Sequence, residues 1–366
     1  MSPASPARRR QVALRKRLLA WYHANRRDLP WRHSRDPYAI WISESMLQQT
    51  RVETVIPYYQ RFLARFPDVQ ALADAPLDDV LGEWAGLGYY SRARNLHAAA
   101  RCLVEQHGGE VPDDPEALRA LPGVGRYTAG AVASIAFDRP EAIVDGNVTR
   151  VLARLYALRE NTKSPAMIRR LWELAGELAR GPEPGALNQA LMELGATVCT
   201  PRAPQCSHCP LQGRCLARRD GDPEALPVKT RRALRTPLAA VAGWIPRRGQ
   251  ILAVKRPSGG LLGGLWDLPG GEMADGESPP QALQRCLLEG VGLHVDSLEP
   301  LGEVQQAFTH RDLTLQVFRC GSPQGRVRLR GFEAHRWLTP RSFLRLPQGR
   351  ATQAALELAA PGDRES

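Results

Sequence analysis

Two carboxylic acids, Glu44 and Asp145, stand in surroundings that could make them catalytic. Glu44 lies in the apolar stretch WISESML at 41–47, where an inward-pointing carboxyl has a raised pKa and can deliver a proton near neutral pH. Asp145 lies in IVDGN at 143–147, just ahead of a helix that we predict from about residue 147 to 157. The alternatives are a solvated helix residue for Glu44 and a helix N-cap for Asp145. A rigid capping carboxylate is also a fixed negative charge, so the two roles of Asp145 are compatible.

A glycine hairpin precedes Asp145. Residues 121–125 read LPGVG and lie between two predicted helices, at 114–120 and 126–137. Gly123 and Gly125 carry no Cβ and allow φ > 0, so the backbone N–H groups and the following helix dipole could bind a DNA phosphate. Glycine turns between helices are common, however, and an ordinary helix–helix turn remains the alternative.

Four of the seven cysteines are crowded into seventeen residues, with the spacing Cys-x6-Cys-x2-Cys-x5-Cys. They are Cys199, Cys206, Cys209 and Cys215. Free surface thiols this close together are easily oxidised, so the pattern predicts a bound metal or cluster. Zinc sites usually pair two Cys-x2-Cys steps and only one occurs here, which favours a 4Fe-4S cluster; spacing alone does not exclude zinc. His208 is interpreted as a solvated loop residue.

A second glycine turn, GLGYYSRARN at 86–95, carries Tyr89, Tyr90, Arg92 and Arg94. Aromatic faces can stack on bases while guanidinium groups bind phosphates, which is typical of nucleic-acid binding. A buried tyrosine pair with solvated arginines is an equally good interpretation of these residues alone.

Composition limits the classes of protein to consider. The chain has 366 residues, 43% of them hydrophobic, and a formal charge of +11, of which residues 1–236 carry +9 and residues 237–366 carry +2. This length predicts two domains, and the charge favours a polyanionic partner of the first. There is neither a run of about 18 apolar residues nor a secretory signal, so we expect no membrane span. The cysteine pattern is unlike a disulfide framework, and we expect a reducing, cytoplasmic location.

The hydrophobic periodicity predicts an all-α region followed by an α+β region. Helices are expected at 11–23, at 41–66 with an interruption near Pro57, and at 77–84, 164–180 and 186–198. Strands are expected at 238–245, 250–255, 313–318 and 326–329, around a helix at 280–288. We therefore predict a disordered basic arm at 1–10, a helical domain at 11–219, a linker at 220–237, an α+β domain at 238–348 and a tail at 349–366.

These motifs together resemble the endonuclease III superfamily of helix-hairpin-helix DNA glycosylases. The stretches WISESMLQQT at 41–50 and GLGYYSRARN at 86–95, with the C-terminal extension, make the chain similar to the adenine DNA glycosylases of the MutY family. The resemblance extends from about residue 11 to 348. It implies a base excision repair enzyme that flips out adenine mispaired with 8-oxoguanine or guanine and hydrolyses its N-glycosidic bond. The implied partner is double-stranded DNA with such a mispair, bound by a monomer that carries a 4Fe-4S cluster on the four cysteines.

The resemblance also implies roles for individual residues. Glu44 would protonate adenine N7, Asp145 would stabilise or capture the sugar cation, and Tyr127 and Asn147 would line the pocket. The implied contacts to DNA are made by Trp31, Arg32, Gln49, Thr50, Tyr89, Gly123, Gly125, Phe308, Thr309 and His310. For Trp31, simple core packing is the alternative. Thr309 replaces the serine of the family's Phe-Ser-His loop, keeping the hydroxyl and adding a methyl.

The C-terminal region follows most of the box of Nudix hydrolases, in Gly271-x5-Glu277-x7-Arg285 and Glu289-x2-Gly292-Leu293. That pattern requires two further glutamates where this chain has Cys286 and Gly290. Without them the helix has too few oxygen ligands for Mg²⁺-dependent diphosphate chemistry. We therefore predict a Nudix-like fold that recognises the oxidised guanine instead; a purely stabilising domain is the alternative.

Two other functions compete with adenine excision. A pyrimidine-damage glycosylase with strand-cleaving activity would need a lysine at position 127, whose amine forms a Schiff base with the sugar; Tyr127 cannot form that imine. A DNA-binding iron-sulfur protein without catalysis would not need both Glu44 and Asp145. The sequence therefore predicts a monofunctional glycosylase.

Overall fold

The computed structural model describes residues 6–228, 234–260 and 262–359, with side chains from Arg9 onward. The chain folds into two compact units, one formed from the described parts of Met1–Asp74 and Asn95–Arg231 and the other from those of Ala75–Arg94 and Arg232–Ser366. The second unit therefore contains a short excursion from the N-terminal half of the chain.

Helices are the only regular secondary structure among the described residues of the first unit, as predicted. The helices up to residue 219 are α1 Pro6–Asn25, α2 Pro37–Leu47, α3 Val52–Arg65, α4 Val69–Asp74, α5 Leu77–Glu83, α6 Ser91–His107, α7 Pro115–Ala120, α8 Arg126–Phe137, α9 Gly146–Leu155, α10 Pro165–Ala179, α11 Pro184–Thr197 and α12 Leu216–Arg219. Of these, α5 and the start of α6 belong to the second unit. Short 3-10 turns lie at Pro30–Arg32, Cys206–His208, Gln212–Arg214 and Pro223–Ala225.

Helix α11 is the central element of this unit, since it packs against α1, α8, α9 and α10. Leu187, Leu191 and Leu194 recur at helical spacing and are fully or almost fully buried. Side chains of α1, α9 and α10 complete the same core cluster. A rigid helical core thus holds the N-termini of α8 and α9, which carry the candidate catalytic groups.

Two predictions about the first unit are wrong. Residues 6–10, expected in a disordered arm, begin helix α1, while residues 1–5 lie outside the described part. The helical pattern at 41–66 breaks at Gln48–Arg51 rather than at Pro57, which lies inside α3. Gln49 has φ 58°, a left-handed conformation that cannot continue a right-handed helix.

The second unit is built on one mixed sheet and one antiparallel sheet, flanked by helices. Its strands and remaining helices are β1 Thr236–Trp244, β2 Pro246–Arg247, β3 Gln250–Lys255, β4 Trp266–Asp267, β5 Gly270–Glu272, α13 Pro279–Val291, β6 His294–Val295, β7 Leu298–Ala307, β8 Arg311–Cys320, β9 Pro323–Gln324, β10 Ala334–Leu338, α14 Pro340–Phe343 and α15 Arg350–Ala359. One sheet has the order β5-β1-β8-β7, in which β1 and β8 are parallel; the other has β10-β3-β2, with β4 also on β3.

The predicted α+β character of this unit is confirmed, but several boundaries differ. Residues 326–329 are not a strand. The expected tail from residue 349 instead contains α15, whose Ala355 and Leu356 are buried in the core. Residues 75–94 were assigned to the helical domain, yet they fold with the second unit, where Asp78 pairs with Lys255 at 2.6 Å and Leu81 lies against Gly264. Residues 229–233 of the expected linker lie outside the described residues.

Candidate active site

Glu44 is buried on helix α2, in the apolar surroundings that the sequence predicted. Asp36 caps the helix by accepting hydrogen bonds from the backbone N–H groups of Tyr38 and Ala39. The Glu44 side chain is only 5% exposed, and its Oε2 accepts a hydrogen bond of 2.7 Å from Tyr127 Oη. Tyr127 lies in the first turn of α8 and also contacts Met192 Sδ at 3.2 Å. The hairpin and the acid are thereby brought together.

The environment of Glu44 keeps a substantial fraction of this carboxyl protonated at neutral pH. Its pKa is raised from 4.5 to about 7, chiefly by burial; the hydrogen bond from Tyr127 lowers the pKa, the charge of Asp145 raises it and the charge of Arg32 lowers it. The pKa of Tyr127 is raised well above 10 by burial and by the charges of Glu44 and Asp145. The two carboxylates therefore lie within electrostatic reach of the same phenol, and Glu44 can act as a proton donor.

Asp145 is held rigidly as the N-cap of α9. One carboxylate oxygen accepts a 2.7 Å hydrogen bond from the Val148 N–H, and the other accepts a 2.9 Å hydrogen bond from Asn147 Nδ2. The capping role weighed in the sequence analysis is thus real, and it coexists with a fixed negative charge near Glu44.

Asn147 connects Asp145 to the cysteine loop through an arginine. Arg150 Nη2 donates to Asn147 Oδ1 and to the Gly195 carbonyl, both at 2.7 Å, and its Nε donates to the Cys199 carbonyl at 2.7 Å. A Cβ on Gly195 would lie 2.6 Å from the Cβ of Asn147, so α11 approaches the start of α9 as closely as only glycine permits. Asp145 and the backbone of Cys199 are therefore parts of one hydrogen-bonded network.

A buried ion-pair cluster completes this region. Its acidic member, Glu193, was not predicted from the sequence. Glu193 on α11 is 1% exposed and bonds Arg27 Nε and Arg32 Nη2, each at 2.8 Å. Burial alone would raise the pKa of Glu193, but these hydrogen bonds lower it to about 2. The carboxylate stays ionised and orients Arg32, whose charge reaches Glu44. The missed signal was a glutamate within the apolar stretch of α11.

Arg32 and Trp31, both expected near the extruded base, are both largely buried. The Arg32 side chain is 9% exposed, and its Nε has no hydrogen-bond partner among the described residues. Trp31 is 7% exposed and meets the Tyr59 ring edge-on at 5.6 Å, which agrees with the core-packing alternative. Arg32 thus retains a donor for a ligand, whereas Trp31 is chiefly a packing residue.

The glycine hairpin has the expected position between α7 and α8, but its two glycines differ. Gly123 has φ 73°, and a Cβ there would overlap Asn95 at 2.4 Å. Gly125 has φ −85°, so the expectation that it uses positive φ is wrong. Gly125 is instead the N-cap of α8, and its missing Cβ faces open space. A bulky anion can therefore approach the start of α8 at Gly125.

Gln49 and Thr50 follow the end of α2. Gln49 is exposed in its left-handed conformation, a strained geometry for a residue other than glycine. The half-buried Thr50 donates its N–H to the Leu47 carbonyl at 3.3 Å, and Gln48 bonds Thr128 on α8 at 3.2 Å. The turn that exposes Gln49 is thus tied to the hairpin helix.

The four cysteines converge in one loop, although no described group of His, Cys, Asp or Glu side chains meets the geometry for a metal ion. The pKa of Cys209 is raised to about 11, chiefly by burial and in smaller part by Cys199, Cys215 and Cys206, so Cys209 lies within electrostatic reach of the other three sulfurs. Burial also raises the pKa of Cys215. Such thiols stay neutral unless a bound metal or cluster replaces the proton, so the donor set fits a thiolate-ligated group.

Arg154 anchors this loop. It is 2% exposed, and its Nη1 donates to Cys199 Sγ at 3.3 Å and to the Thr200 carbonyl at 2.7 Å. Its Nε donates to the Leu226 carbonyl at 2.9 Å. His208 is exposed, as expected of a loop residue.

In the second unit, the remaining candidate residues lie at the tip of the β7–β8 hairpin and beside it. Phe308 is half-buried, Thr309 and His310 are exposed, and the Phe308 N–H closes the turn on the Arg311 carbonyl at 2.7 Å. Tyr89 is 42% exposed, has φ 50°, and its hydroxyl lies 3.2 Å from Thr309 Oγ1. Tyr89 and Thr309, chosen separately from the sequence, are thus brought together.

The Nudix-like helix α13 retains its internal ion pair but lacks two carboxylates. Arg285 bonds Glu277 at 2.7 Å. A Cβ on Gly290 would lie 3.1 Å from the Phe332 ring, so the space of the missing glutamate is partly filled by an aromatic side chain. This arrangement agrees with a fold that has lost the diphosphate chemistry of its box.

The described residues contain no helix that is long and apolar enough to cross a membrane. Comparison with known families finds the HhH-GPD superfamily of base excision DNA repair proteins at residues 42–177 and a NUDIX domain at residues 240–358. A solved structure of a thermostable thymine-DNA glycosylase aligns over 59% of this chain and all of its own, with a TM-score of 0.55 and 31% identity.

Curated relatives cover more of the chain. The adenine DNA glycosylase of Rattus norvegicus is 40% identical over 91% of this chain and 75% of its own length. That of Schizosaccharomyces pombe is 34% identical over 83% of this chain and 80% of its own length. Since both the helical and the Nudix-like parts are matched, the chain belongs to the adenine DNA glycosylase family.

Proposed function

We propose that this protein removes adenine from DNA where it is mispaired with 8-oxoguanine or guanine, by hydrolysing the bond between adenine N9 and the sugar C1′. The observation that carries the proposal is the buried Glu44, with a pKa of about 7, within electrostatic reach of Asp145. An acid that titrates near neutral pH beside a fixed carboxylate suits the cleavage of an N-glycosidic bond, which breaks through an oxocarbenium-like sugar.

The proposed chemistry gives the two carboxylates different roles. The flipped adenine accepts a proton from Glu44 at N7, the C1′–N9 bond breaks, and its electron pair leaves with the base. Asp145, ionised and fixed on α9, stabilises the cationic sugar. Water then adds to C1′ and returns a proton to Glu44, which restores the acid. Tyr127 and Asn147 hold the two carboxylates, and Arg32 offers its free Nε–H to the base.

Extruding the base costs a few kcal/mol, and contacts to the DNA backbone must offset that cost. We assign phosphate binding to the hairpin at Gly123 and Gly125, and the space vacated in the duplex to Gln49 and Tyr89. Thr50 supports the turn that presents Gln49. In the Nudix-like unit, Phe308, Thr309 and His310 contact the base opposite adenine.

We also propose that Cys199, Cys206, Cys209 and Cys215 hold a 4Fe-4S cluster, which when bound would tie the loop together and supply one-electron chemistry. Arg154 donates a hydrogen bond to Cys199 Sγ and so holds this part of the loop in place. Visible absorbance and iron content of the purified protein distinguish the cluster from zinc: colourless protein with stoichiometric zinc contradicts this assignment. The family and this cysteine chemistry fit action on DNA in a reducing, cytoplasmic compartment, as a monomer.

The test of the function is a single-turnover incubation with duplexes that hold adenine opposite 8-oxoguanine. We expect release of free adenine, with strand breakage only after alkali. Strand breakage without alkali would instead indicate a lyase, and binding without base release would leave only a DNA-binding protein. Duplexes with adenine opposite thymine are the matched control and should release no adenine.

A further inference from the structure

The turn that presents Tyr89 is held by the C-terminal end of the chain. Residues 86–90 belong to the second unit, together with residues 347–350, and three hydrogen bonds of the turn depend on two side chains, Tyr90 and Arg350. Nothing in the glycosidic chemistry uses either side chain. Each side chain donates a hydrogen bond to a backbone carbonyl of the other segment.

Tyr90 is the central group of this connection. It is 4% exposed, its hydroxyl donates to the Gln348 carbonyl at 2.7 Å, and the same oxygen accepts from the Gly86 N–H at 3.4 Å. The Gly86 carbonyl in turn accepts from Arg350 Nη2 at 3.0 Å. The Gly86 residue, with φ 98°, is therefore fixed on both its N–H and its C=O.

The receiving segment is itself anchored. The Pro347 carbonyl accepts from the Trp266 N–H at 2.8 Å, and Gln348 pairs with Trp266 as a parallel β-bridge. Gln348 Nε2 also donates to the Phe343 carbonyl at 3.2 Å. The contact of Tyr90 thus reaches the sheet of the Nudix-like unit and not a loose tail.

At the other end of the turn, Gly88 immediately precedes Tyr89 in the chain. The Gly88 carbonyl accepts from Trp84 Nε1 at 3.1 Å and from Arg92 Nη2 at 3.0 Å. The Arg92 guanidinium also lies over the Tyr89 ring, 5.6 Å from its centre. Tyr89 is held in a left-handed conformation that a non-glycine residue adopts only when its surroundings impose it.

We infer that Tyr90 and Arg350 are positioning residues that clamp the 86–90 turn to residues 347–350 and so preorganise Tyr89, beside Thr309, for recognition of the mispair. Without the clamp the turn must be ordered when DNA binds, which weakens binding but leaves the proton transfer by Glu44 unchanged once the complex has formed. The inference rests on the proposed contact of Tyr89 with DNA.

The test compares Tyr90→Phe and Arg350→Ala with the matched control Arg345→Ala, an exposed arginine of the neighbouring turn. The probe is a duplex with 2′-fluoro-2′-deoxyadenosine opposite 8-oxoguanine, in which the fluorine disfavours the sugar cation. Tyr90→Phe removes the two hydrogen bonds of the Tyr90 hydroxyl and Arg350→Ala removes the one donated to Gly86, and each loss should raise the Kd for this probe about two- to tenfold. The single-turnover excision rate at saturating enzyme should stay unchanged on the corresponding adenine duplex.

A second readout follows the turn without DNA. Amide hydrogen exchange of residues 86–92 in the free protein should be faster in both clamp variants and unchanged in Arg345→Ala. If neither exchange nor Kd changes, or if the saturated excision rate falls as much as the affinity, the clamp is refuted. Tyr89→Ala separates the two proposals: if this variant binds the probe like wild type, the proposed DNA contact of Tyr89 fails, and the recognition role of the clamp fails with it.

Discussion

Replacing Glu44 with glutamine changes one atom of a buried side chain and should abolish proton delivery. The amide can still accept the hydrogen bond from Tyr127, so the packing of α2 is kept. General acid catalysis contributes about 10²–10⁴ in rate, and we expect Glu44→Gln to lose at least that factor in single-turnover adenine release while binding the mispaired duplex normally.

The same substitution has a consequence for stability whose size follows from the pKa. The pKa of Glu44 is about 7 in the folded protein against an ordinary value of 4.5, so folding disfavours the ionised form. The contribution of protonated Glu44 to the free energy of unfolding is therefore fully present below pH 4.5 and is lost as the pH rises through 7. The total loss is about 3 kcal/mol. Glutamine never ionises, so the variant should gain stability relative to wild type between pH 5 and 8.

Amide hydrogen exchange in α2 measures this difference in opening free energy at each pH. Glu105→Gln is the matched control, because Glu105 is an exposed glutamate of the same unit, 63% accessible, and its replacement should give a pH-independent difference. A stability difference for Glu44→Gln that does not change with pH, or that shrinks as the pH rises, would refute the buried acid.

Three further predictions concern neighbouring groups. Asp145→Asn keeps a good helix cap but removes the charge facing the sugar, so adenine release should fall at least about 10²-fold in single-turnover assays with duplex affinity retained; wild-type turnover would remove Asp145 from the mechanism. Glu193→Gln leaves the buried Arg32 and the partly exposed Arg27 without a carboxylate and should cost about 3 kcal/mol of unfolding free energy in urea, at the low end for buried pairs since Arg27 is 36% exposed; a cost below about 1 kcal/mol would contradict the ion-pair cluster. Tyr127→Lys places an amine beside the sugar and should allow borohydride to trap a covalent DNA complex that wild type does not form.

The sequence predicted the elements that carry strong local signals. The α8 bounds were predicted correctly because Gly125 and Arg126 mark the helix start and apolar residues continue to Phe137. The Asp145 cap followed from residue type, whereas the apolar neighbours of Glu44 left both burial and a solvated position open, and the structure shows that the side chain is buried. Strand β7 was missed because Val304 is its only fully buried residue and the alternation of apolar and polar residues is weak.

Contacts between residues far apart in the sequence could not be predicted from local patterns. Glu193 bonds arginines more than 160 positions away, and Arg150 joins Asn147 to Cys199. No local period encodes such contacts, since they arise only when helices pack. The association of residues 75–94 with the C-terminal unit is of the same kind, because it depends on contacts such as Tyr90 with Gln348.

The central claim is that Glu44 must be protonated for adenine to leave. Its most direct test is the pH dependence of the single-turnover rate of adenine release from duplex with adenine opposite 8-oxoguanine, at saturating enzyme. With a pKa of about 7, the rate should be level below pH 6 and fall about tenfold per unit above pH 8. A rate that rises through pH 7, or that stays level up to pH 9, would contradict the account.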